Sequence, residues 1–278
     1  MKLNHVPPST GLLWVRQGLR TFFRQPLAMA GLFFLFMMAV SVLSLVPILG
    51  AALALALLPA ATLGLMAATR EAENGQFPMP AVLASAFRAG RERARAMLTL
   101  GLMYAVGSLV VMGLSALLSG QPSAELMAPG AEGGELPAEA MMRDPAVVRG
   151  LVINMLLYFP LGLLFWHAPA LVHWHGVSPA KSLFFSLVAC WNNKGALLYY
   201  FLGWTGVFFL AALGMVLLGT LLGGPQAIGI VIFPLAMLLS AMFFSSLYFT
   251  FRDSFLLDDG SHLDRSPSAP PPAPPSGY

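Results

Sequence analysis

The stretch STGLLWVRQGLRTFFRQP, residues 9–26, runs directly into LAMAGLFFLFMMAVSVLSLV, residues 27–46, and together they hold the plan of the chain. In the first part Leu12, Val15, Leu19, Phe22 and Phe23 recur at helical spacing. Arg16, Arg20 and Arg24 form a second stripe at i, i+4 and i+8. This is the pattern of an amphipathic helix lying in a membrane interface, an elbow before the span. Ser9 and Thr10 are N-cap types, and Pro26 marks the break where the chain turns inward. The second part carries no charge and is long enough to cross about 30 Å of hydrocarbon, which takes roughly 20 residues.

Working outward, the chain is 58% hydrophobic and 10% charged, with mean hydropathy +0.76. That is more apolar surface than one soluble core of 278 residues buries, so the solvent is a bilayer. Six windows qualify as spans: 27–46, 48–68, 97–118, 147–168, 196–222 and 227–251. The first has no small-residue cleavage site behind it and is expected to be retained. The expected fold is all-α: a single polytopic membrane domain over residues 1–257.

Basic residues are retained on the cytoplasmic side, which sets the orientation. With the N-terminus inside, only Arg143 and Arg149 of the 15 lysines and arginines fall outside. Both termini are therefore expected on the cytoplasmic side. The net charge of +3 is a property of one membrane face and no sign of nucleic-acid binding. Cys190 is the single cysteine, so no intrachain disulfide forms.

The elbow plan recurs. Residues 80–95 open on Pro80, with Val82, Leu83, Ala86 and Phe87 on one side and Arg88, Arg91 and Arg95 on the other. Residues 178–193 open on Ser178 and Pro179, setting Leu183, Phe184, Leu187, Val188 and Trp191 against Lys181, Asn192, Asn193 and Lys194. With the elbow at 9–25 this makes three repeats of elbow helix plus transmembrane hairpin. The second span of each hairpin contains a proline: Pro59, Pro160 and Pro234. Such prolines bend a span, and three bent spans can line a cavity. The plainer alternative is that any six-span chain alternates in this way. Two segments lie outside the plan. Residues 119–144 carry Glu125, Glu132, Glu135 and Glu139 and read as a flexible periplasmic loop ending on the cap Asp144-Pro145. Residues 258–278 form a Pro-rich cytoplasmic tail with nothing to pack.

Little in the chain points to chemistry. His167, His173 and His175 are the weak candidates for metal ligation, but His173 and His175 point roughly 200° apart on a helix and no carboxylate is near in sequence. An aromatic and imidazole belt at the end of the fourth span is the plainer reading. Asn154 is the most polar residue deep in a span, suited to substrate binding or to helix pairing. The spans otherwise lack charge, which argues against an ion-coupled pump. Small residues such as Gly50, Ala54, Gly64, Ala68, Gly203 and Gly206 permit close helix approach. There is no Gly-x-x-x-x-Gly-Lys, Gly-x-Ser-x-Gly, His-Glu-x-x-His or Cys-x-x-Cys motif, and no cofactor is expected.

The opening Asn4-His5-Val6-Pro7-Pro8, Gly11 to Gly18, and Phe22-Phe23-Arg24-Gln25-Pro26-Leu27 resembles a family of proteobacterial six-span inner-membrane proteins with no assigned activity, over about Asn4 to Ser254. The elbow-then-hairpin plan is more loosely similar to the membrane domain fused to some glycerophosphodiester phosphodiesterases, although no catalytic domain of that kind is present. The resemblance implies location and fold and supplies no functional residues.

The functional expectation is a non-enzymatic protein that binds lipid or a hydrophobic ligand at the cytoplasmic leaflet. Arg16, Arg20, Arg24, Arg88, Arg91 and Arg95 are its headgroup contacts, against the simpler role of those residues in setting topology. A passive channel or facilitator and an assembly or scaffold subunit are the alternatives. Membrane lipids, and a protein bound through the Pro-rich tail, are the expected partners.

Overall fold

A computed structural model of the protein describes residues 2–47, 49–119, 144–221 and 225–256. The acidic loop and the Pro-rich tail lie outside the described residues. The helices are α1 (Thr10–Arg24), α2 (Pro26–Ser44), α3 (Gly50–Glu73), α4 (Ser85–Arg88), α5 (Arg91–Ser119), α6 (Pro145–Phe165), α7 (Ala168–His175), α8 (Pro179–Asn192), α9 (Lys194–Leu221) and α10 (Pro225–Ser254). A 3-10 turn, Pro80–Ala84, precedes α4. Two short strands, β1 (Lys2–Leu3) and β2 (Phe255–Leu256), complete the described chain. Among the described residues six helical segments are long and apolar enough to cross a membrane: α2, α3, α5, α6 running on into α7, α9 and α10. The protein is an all-α polytopic membrane protein, since a helix satisfies its own backbone in hydrocarbon.

Several boundaries differ from the sequence expectation, each for a local reason. The elbow expected over 80–95 ends at Arg88. Gly90 takes φ +100°, a left-handed conformation that stops the helix, and α5 starts afresh at Arg91. Arg91 and Arg95 therefore sit on the first turns of a span rather than on the elbow. The helix of the fourth span, expected to run unbroken to 168, ends at Phe165. Pro169 follows four residues later, where its ring opposes the Phe165 carbonyl and its missing N–H breaks the ladder, so the chain restarts as α7. Pro59, Pro160 and Pro234 are all retained inside helices. Asp144 caps α6 as expected, its Oδ1 accepting from Ala146 N at 2.7 Å. Ser9 makes no side-chain cap; Thr10 N and Gly11 N donate instead to the carbonyls of Pro7 and Pro8.

The contacts divide the chain into two compact units. One comprises residues 1–31, 66–79 and 191–278; the other comprises 32–65 and 80–190. In the first unit α1 packs on both α9 and α10, and β1 pairs antiparallel with β2, Lys2 opposite Leu256. Its core holds Trp14, Phe22, Tyr200, Trp204, Tyr248 and Phe249, all buried. In the second unit α5 packs on α6, with Tyr104 edge-on to Phe165 at 4.9 Å between ring centres. Gly64 of α3 admits the backbone of Leu83, and Ser186 Oγ of α8 donates to Leu163 O of α6 at 2.8 Å while accepting from His167 N at 3.0 Å.

Candidate functional site

The first helix presents three distinct faces. Gly11, Trp14, Val15, Gly18, Thr21 and Phe22 are buried and fall on one stripe at 3.6 residues per turn. Arg16, Arg20 and Arg24 lie on the opposite side, all exposed. Leu12 and Phe23 stand between, 48% and 65% exposed. The expected apolar side is thus split: Val15 and Phe22 turn inward, Leu12 and Phe23 outward. Two glycines set this rotation. A methyl group on Gly11 would stand 2.6 Å from Tyr200 N, and one on Gly18 would stand 2.7 Å from Ser246 Cα, so α1 seats directly on the backbones of α9 and α10. Gly203 of α9 accepts Leu12 and Val15, the close approach its size allows, whereas nothing comes within 4 Å of where a side chain on Gly206 would begin.

Polar bonds fix this seat. Trp14 Nε1 donates to Asp253 Oδ2 at 2.8 Å, and Arg252 Nε donates to Asp253 Oδ1 at 2.8 Å. Tyr200 OH and Ser246 Oγ are 2.6 Å apart, and Trp204 Nε1 donates to the same serine at 3.2 Å. At the other end of α1, Thr21 Oγ1 donates to Glu73 Oε1 at 2.6 Å, and Arg24 pairs with that oxygen at 3.1 Å. Arg24 is therefore already committed to a carboxylate. Arg16 and Arg20 make no hydrogen bond or ion pair among the described residues, so their charge is available to an anion.

Asn193, expected on the polar face of the third elbow, is instead 1% exposed. Its Oδ1 accepts from Val6 N at 3.0 Å, and its Nδ2 donates to Asn4 O at 3.0 Å and to Ser254 Oγ at 3.3 Å. Asn4 Nδ2 in turn donates to Asp253 O at 2.8 Å. One side chain therefore fastens the N-terminal segment to the end of α10. The only sequence signal for this was an asparagine at the junction of two helices, where amides often satisfy exposed backbone groups. Trp14, Asp253 and Ser246 carried no signal beyond their type.

The second basic group is more dispersed. Arg88 ends α4, while Arg91 and Arg95 share one face of α5 at i and i+4; all three are exposed. Arg93 donates to His173 O at 2.6 Å. His167 is buried at the break between α6 and α7, and His173 and His175 lie in the last turn of α7. Among the described residues no three His, Cys, Asp or Glu side chains are placed to hold a metal ion. Asn154 lies on α6, with its Oδ1 shut off from solvent and no described donor reaching it.

A Burkholderia thailandensis protein described as a probable inner membrane protein is 38% identical to this chain over 256 residues, covering 92% of this chain and 94% of the relative. No family model and no solved structure matches. Identity at that level over nearly the full length of both chains, together with six apolar helices, settles the family: the chain belongs with this probable inner membrane protein and is an integral, multi-pass member of that group.

Proposed function

We propose that the protein is a non-enzymatic inner-membrane protein that binds anionic lipid on the cytoplasmic leaflet through the outward stripe of α1. The observation that carries this reading is the division of α1 into three faces. The buried face fixes the helix on α9 and α10, Leu12 and Phe23 suit the acyl boundary, and Arg16 and Arg20 suit headgroups. Arg88 at the end of α4 and Arg91 and Arg95 at the start of α5 form a second basic group and belong to the same reading, with both termini in the cytoplasm. The threefold elbow-and-hairpin plan is part of it too. Its support is that elbow residues Leu83, Ser186 and Gly18 meet the second spans α3, α6 and α10 respectively. The looser likeness to phosphodiesterase-fused membrane domains is in keeping with a membrane module that has no chemistry of its own. We assign a protein partner, if one is bound, to the tail at 258–278.

A basic residue at an anionic surface contributes about 1 kcal/mol, so losing two weakens retention roughly thirtyfold. Native mass spectrometry of protein released from phosphatidylglycerol nanodiscs tests this. Arg16→Gln with Arg20→Gln should lose most bound phosphatidylglycerol, and equal retention by wild type and variant would refute the assignment. A passive facilitator is the second reading, favoured by Asn154 Oδ1, since an acceptor inside hydrocarbon needs a donor such as a polar permeant or water. Flux of small neutral solutes into proteoliposomes that falls on Asn154→Leu would support it, and unchanged flux would remove it.

A further inference from the structure

Beyond the level where α1 seats, α9 and α10 form an open apolar cleft of about 250 Å³. Ala211, Ala212 and Met215 line it from α9, and Leu235, Ala236 and Leu239 line it from α10, with Phe208 and Ile232 completing the lining. Three of the eight lining positions are alanine, and longer side chains there would fill the space. Every lining residue belongs to a membrane span, and two of the walls, Phe208 of α9 and Ile232 of α10, are themselves strongly exposed apolar residues. The cleft is therefore continuous with the surface that meets the hydrocarbon. It offers no charge or hydrogen-bonding side chain to a polar ligand. A cavity of about 150 Å³ lined by Leu, Ile and Phe accommodates benzene, so this larger cleft holds a run of several methylene groups.

We propose that the cleft between α9 and α10 is a seat for one acyl chain of a membrane phospholipid. The chain enters from the surrounding hydrocarbon and lies against the alanine floor. Lipid tails are as apolar as leucine, so transfer from lipid gives no hydrophobic gain, and selection comes from packing against a concave wall. Such a seat orders a chain without holding it tightly, and it is blind to the headgroup. It is thus separate from the arginine stripe: either assignment stands if the other fails.

Photocrosslinking tests it on the full-length protein in phosphatidylethanolamine vesicles, with trace phosphatidylglycerol or phosphatidylcholine bearing a mid-chain diazirine. Adducts mapped by mass spectrometry should fall on Ala211, Ala212, Met215, Ala236 and Leu239 about threefold more often than on Leu210, Leu217 and Phe233, which share the same depth. The two phospholipids should agree, and Ala212→Phe with Ala236→Phe should abolish the excess. The wild-type ratio decides the matter even if the filled variant does not fold. Equal labelling of both sets, an excess that survives in a folded filled variant, or labelling by a free diazirine fatty acid but by neither phospholipid would overturn the proposal.

Discussion

Replacing Gly18 by alanine tests the seat of α1 most sharply, because the new methyl group would meet Ser246 Cβ and the backbone that carries it, none of which can swing aside. It would stand 2.7 Å from Ser246 Cα and 2.9 Å from Ser246 N. Carbon atoms settle at about 3.5–4.0 Å, so α1 must retreat from α10 by about 1 Å. That retreat stretches the 2.8 Å bond from Trp14 Nε1 to Asp253 past hydrogen-bonding range. Overpacking of this kind costs about 1–3 kcal/mol, and a hydrogen bond to a charged acceptor is worth about 1.5–3 kcal/mol. Alanine regains about 1 kcal/mol through helix propensity, leaving a net loss of about 1.5–5 kcal/mol. Gly206→Ala is the control: nothing lies within 4 Å of the added methyl, so it should be neutral or mildly stabilising. Unfolding by SDS in mixed micelles, followed by tryptophan fluorescence, measures both, since Trp14 and Trp204 lie at the affected contact. A Gly18→Ala variant as stable as Gly206→Ala would refute the seating of α1 on α10.

Asn193→Ala leaves Val6 N without its acceptor in a buried position and should cost about 1–3 kcal/mol, read as a lower SDS midpoint and faster proteolysis within the first ten residues. Trp14→Phe keeps an aromatic ring in place but deletes the bond to Asp253, and a double-mutant cycle with Asp253→Asn should give a coupling of about 1–2 kcal/mol rather than zero. Gly64→Val drives a side chain into the Leu83 backbone, 2.8 Å from its Cα, and should lower expression or the SDS midpoint by about 1–3 kcal/mol. Cys190 is buried, so a thiol-reactive dye should modify it only on unfolding, giving a direct melting readout for the second unit.

Long uncharged runs made the six spans legible, because length and apolarity alone decide whether a helix can cross hydrocarbon. The prolines at 59, 160 and 234 and the Asp144-Pro145 cap were legible for the same local reason. What the residues did not reveal was set by long-range packing. Leu12, Val15, Phe22 and Phe23 look alike by hydropathy, yet two glycines rotate α1 so that only Val15 and Phe22 turn inward. Asn193 belongs by type to a polar face, and only the approach of Val6, Asn4 and Ser254 makes it a buried fastening. Gly90 was visible as a helix breaker, but the spacing of Arg88, Arg91 and Arg95 across it carried the second elbow through to 95; Pro169 was legible as an interruption, and the helix stops three residues short of the 168 expected from apolar length.

The lipid reading stands on α1 facing the cytoplasmic leaflet, and sidedness measures that directly. Arg20→Cys, in a Cys190→Ser background, should react with a membrane-impermeant maleimide in inverted inner-membrane vesicles and stay unlabelled in spheroplasts with intact membranes. Labelling from the periplasmic side, with none in inverted vesicles, would contradict the account.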